Sequence, residues 1–202
     1  MSHISPKDQI LSEGFESVID SGVRSFTVEA LSQRLAMSKK TIYKFFPTKD
    51  NLIHAILKFA MNRVESIFES VMANEPNPAV QFIKIMEKIS KIMGKTSVHR
   101  LVELKSQYPM IWREIEQFRL SRVDKFYDIL IKGQEEGLVR DEIDVKMTVI
   151  IYINIVNTTF QPEFFIKYDL SVKNTIQGFV DIVARGIFTE KGMKAIEKYY
   201  ER

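Results

Sequence analysis

The chain has 202 residues and a net charge of +3; hydrophobic residues make up 45% of it and charged residues 27%. These proportions are typical of a folded globular protein and exclude an intrinsically disordered chain. The lack of cysteine excludes disulfide frameworks, thiolate zinc sites and cysteine nucleophiles. The N-terminus lacks the pattern of a secretory signal, and the most apolar stretch, 147–156, is too short to cross a bilayer. We therefore expect a cytoplasmic protein without membrane contact.

The first part of the chain predicts four helices in close succession. Residues that suit helix N-caps precede each of them, namely Ser5, Thr27, Ser38 and Thr48. Gly22 is expected to end the first helix, since glycine commonly follows a helix end. Pro47 is expected to end the third, since the residue before proline avoids helical geometry. The fourth helix is expected to run from Lys49 to about Val71.

The segment "ANEPNP", residues 73–78, is the clearest linker signal in the chain. After it, helical spacing of apolar residues predicts further helices at 79–93, 98–107, 109–132, 171–188 and 191–200. The fold class is therefore all-α, with a small N-terminal domain followed by a larger helical domain.

Residues 145–160 carry conflicting signals. The run "TVIIYINIV" is rich in β-branched residues, which favour strands. No second convincing strand exists to pair with it, and an isolated strand would leave its backbone groups without hydrogen bonds. We therefore expect a helix that is buried on several faces.

A cluster of basic residues lies in the second and third helices. Between Glu29 and Asp50 there is no acidic residue, so five basic residues stand there unopposed in sequence: Arg34, Lys39, Lys40, Lys44 and Lys49. Two helices joined by a short turn, with lysines on the second, form a helix-turn-helix pattern.

The spacing within the third helix predicts an inward and an outward face. Ile42, Phe45 and Phe46 are three and four residues apart and are expected to face the core. The pairs Lys39/Tyr43 and Lys40/Lys44 are expected to face outward. Such a helix suits the major groove of DNA, where lysines can reach guanine edges and phosphates. The alternative is that the lysines form an ordinary solvated face, as on an all-helical protein–protein adaptor.

The aromatic pattern around these lysines closely resembles the TetR (tetracycline-repressor) family of bacterial regulators over about residues 7–60. The matching positions are Thr27, Leu31, Ser38, Thr41, Ile42, Tyr43, Phe46, Lys49, Asp50 and Leu52. Three features depart from the family pattern. Ala36 replaces the usual turn glycine and is expected to keep a negative φ. Ser32 and Leu35 replace small alanines, and Lys40 replaces a residue that is often glycine, so an operator sequence cannot be borrowed from relatives.

The resemblance implies a sequence-specific DNA-binding regulator that binds a palindromic operator as a homodimer. It implies a helix-turn-helix DNA-binding domain at 1–50 and a ligand-binding and dimerisation domain at 51–202, with the fourth helix connecting them. By position, Thr41, Tyr43 and Lys49 would contact phosphates, and Lys39, Lys40 and Lys44 would face base edges. Thr27 and Lys49, at the starts of helices, also suit phosphate binding. The last two long helices would form the dimer interface.

The resemblance also implies an apolar pocket for a small, largely apolar effector that releases a repressor from its operator. The candidate pocket residues are Phe82, Met86, Tyr108, Trp112, Phe118, Phe126, Tyr127, Tyr152, Asn157 and Phe160. For each aromatic, an ordinary place in the core is the competing interpretation. Asn154 and Asn157 need polar partners on so apolar a helix. Which of them faces a pocket and which the dimer interface stays open.

The sequence offers no arrangement typical of an enzyme. The segment "MGKT" at 93–96 is not a phosphate-binding loop, because Ile89 stands where the first glycine is required. The histidines lack metal-ligand spacing, and no serine lies in a nucleophile elbow. We therefore expect no enzymatic activity, no metal and no cofactor.

Overall fold

The computed structural model of the protein describes residues 5–201, and twelve α-helices lie in that range. They are α1 (Pro6–Ser25), α2 (Val28–Arg34), α3 (Lys39–Phe45), α4 (Lys49–Asn74), α5 (Pro78–Met93), α6 (Val98–Gln107), α7 (Pro109–Leu120), α8 (Val123–Glu135), α9 (Val145–Thr159), α10 (Pro162–Tyr168), α11 (Val172–Ile187) and α12 (Glu190–Tyr200). An isolated antiparallel bridge joins Val139 to Phe188. The predicted all-α fold is confirmed. No helix within residues 5–201 is both long and apolar enough to span a membrane.

The predicted starts of the first four helices are confirmed by hydrogen bonds at their N-caps. The side-chain oxygens of Ser5, Thr27, Ser38 and Thr48 each accept from the backbone N–H three residues later, at 3.0 or 3.1 Å. Each bond satisfies a donor that lacks a partner inside the helix. Local sequence chemistry therefore accounts for these boundaries. The end of α4, at Asn74, is three residues beyond the predicted one.

Gly22 ends the regular part of α1, as the sequence predicts. It has the non-helical angles φ 80° and ψ 165°, and one more short turn follows it to Ser25. This conformation strains any residue with a Cβ atom, so glycine is required at the bend. Beside it, the Arg100 guanidinium of α6 donates to the Ile19 carbonyl at 2.7 Å. Gly22 thus lies close to the contact between α1 and α6.

The single long helix predicted for 109–132 is wrong. Ser121 and Arg122 have ψ values of 0° and −4°, which interrupts the helix and separates α7 from α8. The Arg122 side chain forms an ion pair with Glu65 on α4. The sequence analysis also missed α10, a short helix that begins at Pro162. No glycine or proline marks the break at residues 121–122. Pro162, at the first position of α10, is a start signal that the sequence analysis did not use.

The predicted helix at 145–160 is confirmed as α9, but its burial on several faces is wrong for the single chain. Val149, Tyr152 and Ile153 are buried, whereas Ile151 and Ile155 are 50% and 41% exposed. The neighbouring helices of the same chain cover one side only. β-branched residues are accepted here because packing overrides their weak helix propensity.

Two hydrophobic clusters form the core, and α4 takes part in both. Leu52, Ile53 and Ile56 join the cluster that includes α1, α2, α3, α6 and α7. Phe68 and Val71, further along α4, join the cluster formed with α5, α8, α9, α11 and α12. Because α4 continues directly from the third helix through one short turn, it mechanically connects the helix-turn-helix to the rest of the chain.

Candidate nucleic-acid interface and internal cavity

The turn between α2 and α3 has the hydrogen bonds of a Schellman motif. The Met37 N–H donates to the Ser32 carbonyl at 3.0 Å, and the Ala36 N–H donates to the Gln33 carbonyl at 3.2 Å. Ala36 has φ 50°, so the expectation of a negative φ is wrong. The motif requires a left-handed residue after the helix end, and the bonds on both sides hold alanine in that geometry.

The third helix is anchored by two side chains. Ile42 is fully buried and Phe46 nearly so, in the cluster that also contains Leu31 of α2. Phe45 is 41% exposed, so its predicted place on the inward face is wrong. Phe46 follows the last residue of α3 and has extended angles, φ −136° and ψ 93°, so helical spacing no longer places it on the same face as Phe45.

The outward side of α3 carries charge, as its spacing predicts, but not all of that charge is unopposed. Lys39, Lys40 and Lys44 are all exposed. Lys39 pairs with the Glu29 carboxylate of α2, which raises the pKa of the lysine through a hydrogen bond and charge attraction. Arg34 similarly pairs with Glu13 on α1 at 2.6 Å. The expectation of five unopposed basic residues therefore holds in sequence only.

Three lysines supply the free positive charge near the turn. Lys40, Lys44 and Lys49 have no carboxylate within 4 Å among residues 5–201. Lys49 occupies the first position of α4 and is half-buried. The positive charge of these lysines and the exposed N-terminus of α4 thus lie close together in the chain.

The hydroxyl-bearing candidates lie on the same part of the chain. Tyr43 is 41% exposed on α3. Thr27 is exposed at the start of α2 and Thr41 is half-buried in α3, where its hydroxyl forms a hydrogen bond of 2.9 Å with the Ser38 hydroxyl. The seven predicted DNA-contacting residues are therefore gathered on α2, α3 and the first residue of α4, and five of them are widely exposed.

A cavity of about 230 Å³ lies between α1, α4 and helices that follow them in the chain, from α5 to α11. Six of the predicted pocket residues line it, namely Met86, Trp112, Phe118, Phe126, Tyr152 and Phe160. The Tyr152 hydroxyl donates to the Met86 sulfur at 3.2 Å, and burial raises the pKa of this tyrosine. The wall is otherwise mainly aliphatic.

Four predicted pocket residues lie elsewhere. Phe82 is buried in the second hydrophobic cluster, with its ring 5.6 Å from that of Phe188. Tyr127 is 38% exposed. The Tyr108 hydroxyl points to α4, where it donates to Asp50 Oδ1 at 2.9 Å. Asn157 does not line the cavity, and its buried Oδ1 accepts no hydrogen bond from residues 5–201.

Sequence reasoning missed the three arginines in the cavity wall. Arg100 lies on α6, Arg119 on α7 and Arg122 in the turn after α7. A helical signal existed for one of them, because Arg119 is seven residues after Trp112 and therefore lies on the same face of α7. The cavity is thus apolar but basic, and no aspartate or glutamate lines it among residues 5–201.

A comparison with known families bears on the helix-turn-helix. The family model described as "Bacterial regulatory proteins, tetR family" matches residues 10–56, which hold most of α1, all of α2 and α3, and the first turns of α4. Residues 10–56 therefore carry the helix-turn-helix of the TetR family. The resemblance predicted from the sequence is confirmed, and with it the assignment as a helix-turn-helix, DNA-binding transcription regulator.

Similarity to known proteins continues beyond residues 10–56 over more than nine-tenths of the chain. The uncharacterized HTH-type transcriptional regulator YvaF of Bacillus subtilis (strain 168) is 23% identical over 184 residues, which are 91% of this chain and 96% of YvaF. The solved structure of reduced NemR from E. coli has a TM-score of 0.65 at 11% identity, covering 92% and 98% of the two chains. A TetR transcriptional regulator from Legionella pneumophila has a TM-score of 0.63 at 13% identity, covering 93% and 100%. These structures show a common fold.

The chain also presents apolar side chains to solvent on α9 and α11. These helices meet at the stacked rings of Tyr152 and Phe179, whose centres lie 5.4 Å apart. Their other sides expose large aliphatic residues, of which Ile182 on α11 is 71% exposed and Ile151 on α9 is 50% exposed. Gly178 and Gly186 of α11 have open space where a side chain would lie. Asn154 is exposed on the same helix as Ile151 and donates only to the Ile150 carbonyl.

Proposed function

We propose that this protein is a repressor that binds a palindromic operator as a homodimer and is released by a small effector in the internal cavity. The observation that carries the proposal is the division of α3 into two sides. Ile42 and Phe46 are buried and fix the helix, while Lys40 and Lys44 extend from its other side without acidic partners among residues 5–201. Such a helix suits the major groove. As a regulator of bacterial type it would act in the cytoplasm, where it meets DNA.

The DNA contacts divide into two kinds in this proposal. Lys39, Lys40 and Lys44 reach base edges, where a good contact adds ~1–3 kcal/mol of discrimination. The phosphate contacts come from four residues around them, Thr27, Thr41, Tyr43 and Lys49. Lys49 suits this role because it adds a point charge to the N–H groups at the start of a 26-residue helix.

The dimer in this proposal forms through α9 and α11 of each chain, which make a four-helix interface. Ile182 and Ile151 are 71% and 50% exposed. Exposing apolar side chains to water is unfavourable, so burying them against a partner helix would stabilise the dimer. The bare surface at Gly178 and Gly186 allows close approach of such a helix. A two-fold dimer would present two α3 helices to half-sites ~34–36 Å apart, or a multiple of that distance.

Release by an effector is proposed to act through α1 and α4, because both helices wall the cavity and hold the DNA-binding helices. Two side chains connect them to the effector side of the molecule. Arg100 of α6 donates to the Ile19 carbonyl of α1, and Tyr108 at the start of α7 donates to Asp50 in the first turn of α4. A ligand that shifts α6 or α7 would therefore move the residue next to Lys49.

The experiment that tests this function selects bound fragments from random duplex DNA with purified protein. The control is the Lys39→Ala/Lys40→Ala/Tyr43→Ala variant, which removes only exposed side chains and should remain folded. Enrichment of a palindrome by the wild type and its loss in the variant would support the proposal and deliver the operator for effector screening.

The adaptor alternative makes the opposite prediction. If the lysines are only solvated, the folded protein enriches no sequence at low salt. If they contact phosphates, binding weakens steeply with salt, because each neutralised phosphate releases counterions. A binding constant that does not change with salt would therefore favour the adaptor.

A further inference from the structure

The internal cavity combines an apolar wall with an excess of positive charge. Three arginines line it, and among residues 5–201 no acidic residue does. A purely apolar effector would form no favourable contact with a guanidinium in the cavity wall. It would also displace water from that guanidinium, which costs free energy. The partners of each arginine therefore decide whether any of this charge is available to a ligand.

Two of the three arginines are already engaged. Arg122 forms an ion pair with Glu65 on α4 and donates to the Ser121 hydroxyl at 3.0 Å. Arg100 donates to the backbone carbonyl of Ile19 at 2.7 Å and to that of Lys95 at 3.4 Å. Arg122 is neutralised by its partner, and Arg100 is held in place between α1 and α6.

Arg119 is different because it has no carboxylate partner within 4 Å among residues 5–201. Its guanidinium lies 5.6 Å from the centre of the Trp112 ring and makes a long hydrogen bond of 3.5 Å to the Phe160 carbonyl. Desolvation lowers the pKa of Arg119 to about 10, and attraction by Glu116 opposes this only in part. Glu116 itself accepts hydrogen bonds from the Trp112 indole and the Gln161 amide.

We propose that the effector is a small amphipathic acid whose carboxylate pairs with Arg119 and whose apolar body fills the cavity. The inference rests on the proposed effector site and adds the chemical class of the ligand. An arginine offers a planar pair of donors that matches a carboxylate, and the pair is strong where water is excluded. Trp112 and Phe160, which both contact Arg119 and line the cavity, would hold the guanidinium in position for this contact.

The size of the cavity limits the apolar body. Its 230 Å³ lies below the ~300–1,000 Å³ typical of ligand pockets. Straight-chain acids of medium length suit it as probes, because a flexible chain adapts to the shape of an aliphatic wall. The matching straight-chain alcohols have the same apolar body but no charge.

The test measures calorimetric binding of octanoate, decanoate and dodecanoate, and of the corresponding alcohols, to the purified full-length protein without DNA. At least one acid should bind, and more tightly than its alcohol. Arg119→Gln should weaken the binding of that acid by about tenfold to a hundredfold, since a hydrogen-bonded charge pair is lost. The same substitution should leave binding of the alcohol nearly unchanged.

The matched control is Arg113→Gln, which removes an exposed arginine from the same helix. It should bind the acid as the wild type does. Arg119→Lys keeps the charge without the planar pair of donors, so its affinity should lie between those of the wild type and Arg119→Gln. Thermal melting of each variant establishes that it is folded.

Three results would overturn the inference: no binding by any of the acids, binding of an alcohol as tight as that of its acid, or an equal loss in Arg113→Gln and Arg119→Gln. If Arg119→Gln does not fold, Arg119→Lys and the comparison of acid with alcohol decide. None of these measurements involves DNA. A negative calorimetric result would therefore not affect the result of the DNA selection. A negative DNA selection would likewise not affect the measured binding of acids.

Discussion

Helix α3 and the α9–α11 surface both expose an outer side to water, and they differ in chemistry. On α3 the exposed residues are mainly lysines, which water solvates well. On α9 they include Ile150, Ile151 and Ile155, and on α11 Ile182 lies among polar residues; water solvates these isoleucines poorly. An exposed apolar surface therefore indicates a partner by its own free energy. A lysine surface does not by itself indicate a partner, because water solvates it well. Helix geometry and the family match are what indicate a function for α3.

The largest expected effect tests the apolar side of this comparison. Ile182→Lys should raise the dimer dissociation constant by about a hundredfold to ten-thousandfold, because each chain loses ~1.5–3 kcal/mol of apolar burial and the substitution occurs twice. Sedimentation velocity over a range of concentrations measures this. The control is Met110→Lys on α7, where the replaced side chain is also widely exposed, at 65%. A wild-type monomer at micromolar concentration, or equal effects of both substitutions, would contradict the proposed interface.

The second prediction divides the lysine surface into two roles. Lys40→Ala should lower the preference for operator over random DNA by ~1–3 kcal/mol, because a base contact is lost. Lys49→Ala should weaken binding to both DNAs alike and reduce the slope of log affinity against log salt by about one, because a phosphate contact is lost. Binding titrations at several salt concentrations measure both. If each variant lost affinity equally for operator and for random DNA, the proposed division into a base contact and a phosphate contact would be wrong.

The third prediction concerns the turn that sets α3 against α2. Ala36→Gly should stabilise the protein by ~1 kcal/mol, because alanine is strained at φ 50° and glycine is not. Ala30→Gly, in the regular and exposed part of α2, should destabilise it by ~0.5–1 kcal/mol. Urea denaturation of the three proteins measures these changes. A loss of stability in both variants would mean that the left-handed geometry at Ala36 is not strained.

The smallest effect tests the ion pair at the edge of the lysine surface. Glu29→Gln should tighten DNA binding by a few-fold, because an exposed ion pair contributes only ~0.2–1 kcal/mol and its loss frees Lys39 for DNA. The substitution also returns the raised pKa of Lys39 towards its ordinary value, which leaves the lysine fully charged near neutral pH. Titration with operator DNA at low salt measures the affinity. Weaker binding would show that Glu29 positions Lys39 instead of competing with DNA.

Sequence reasoning succeeded where the decisive interactions are local. The caps at Thr27, Ser38 and Thr48 depend on atoms three residues apart, so the sequence alone predicts them. The burial of Ile42 and Phe46 follows from helical spacing. The failures at Phe45 and at the turn of residues 121–122 have a common cause, because in both cases the packing of neighbouring helices selected one outcome from several that local propensity allows.

The sequence by itself determined that this protein is all-α, where its helix-turn-helix lies and which family that motif resembles, because caps, periodicity and motif spacing are properties of neighbouring residues. Tertiary structure alone decided which charges are free and which apolar residues face water. Glu29 neutralises Lys39 across the turn, Arg119 lies at the cavity wall with no carboxylate within 4 Å in the described range 5–201, and α9 is covered on one side only. Each of these depends on residues far apart in the chain, whose distances are set by the packing of the whole fold.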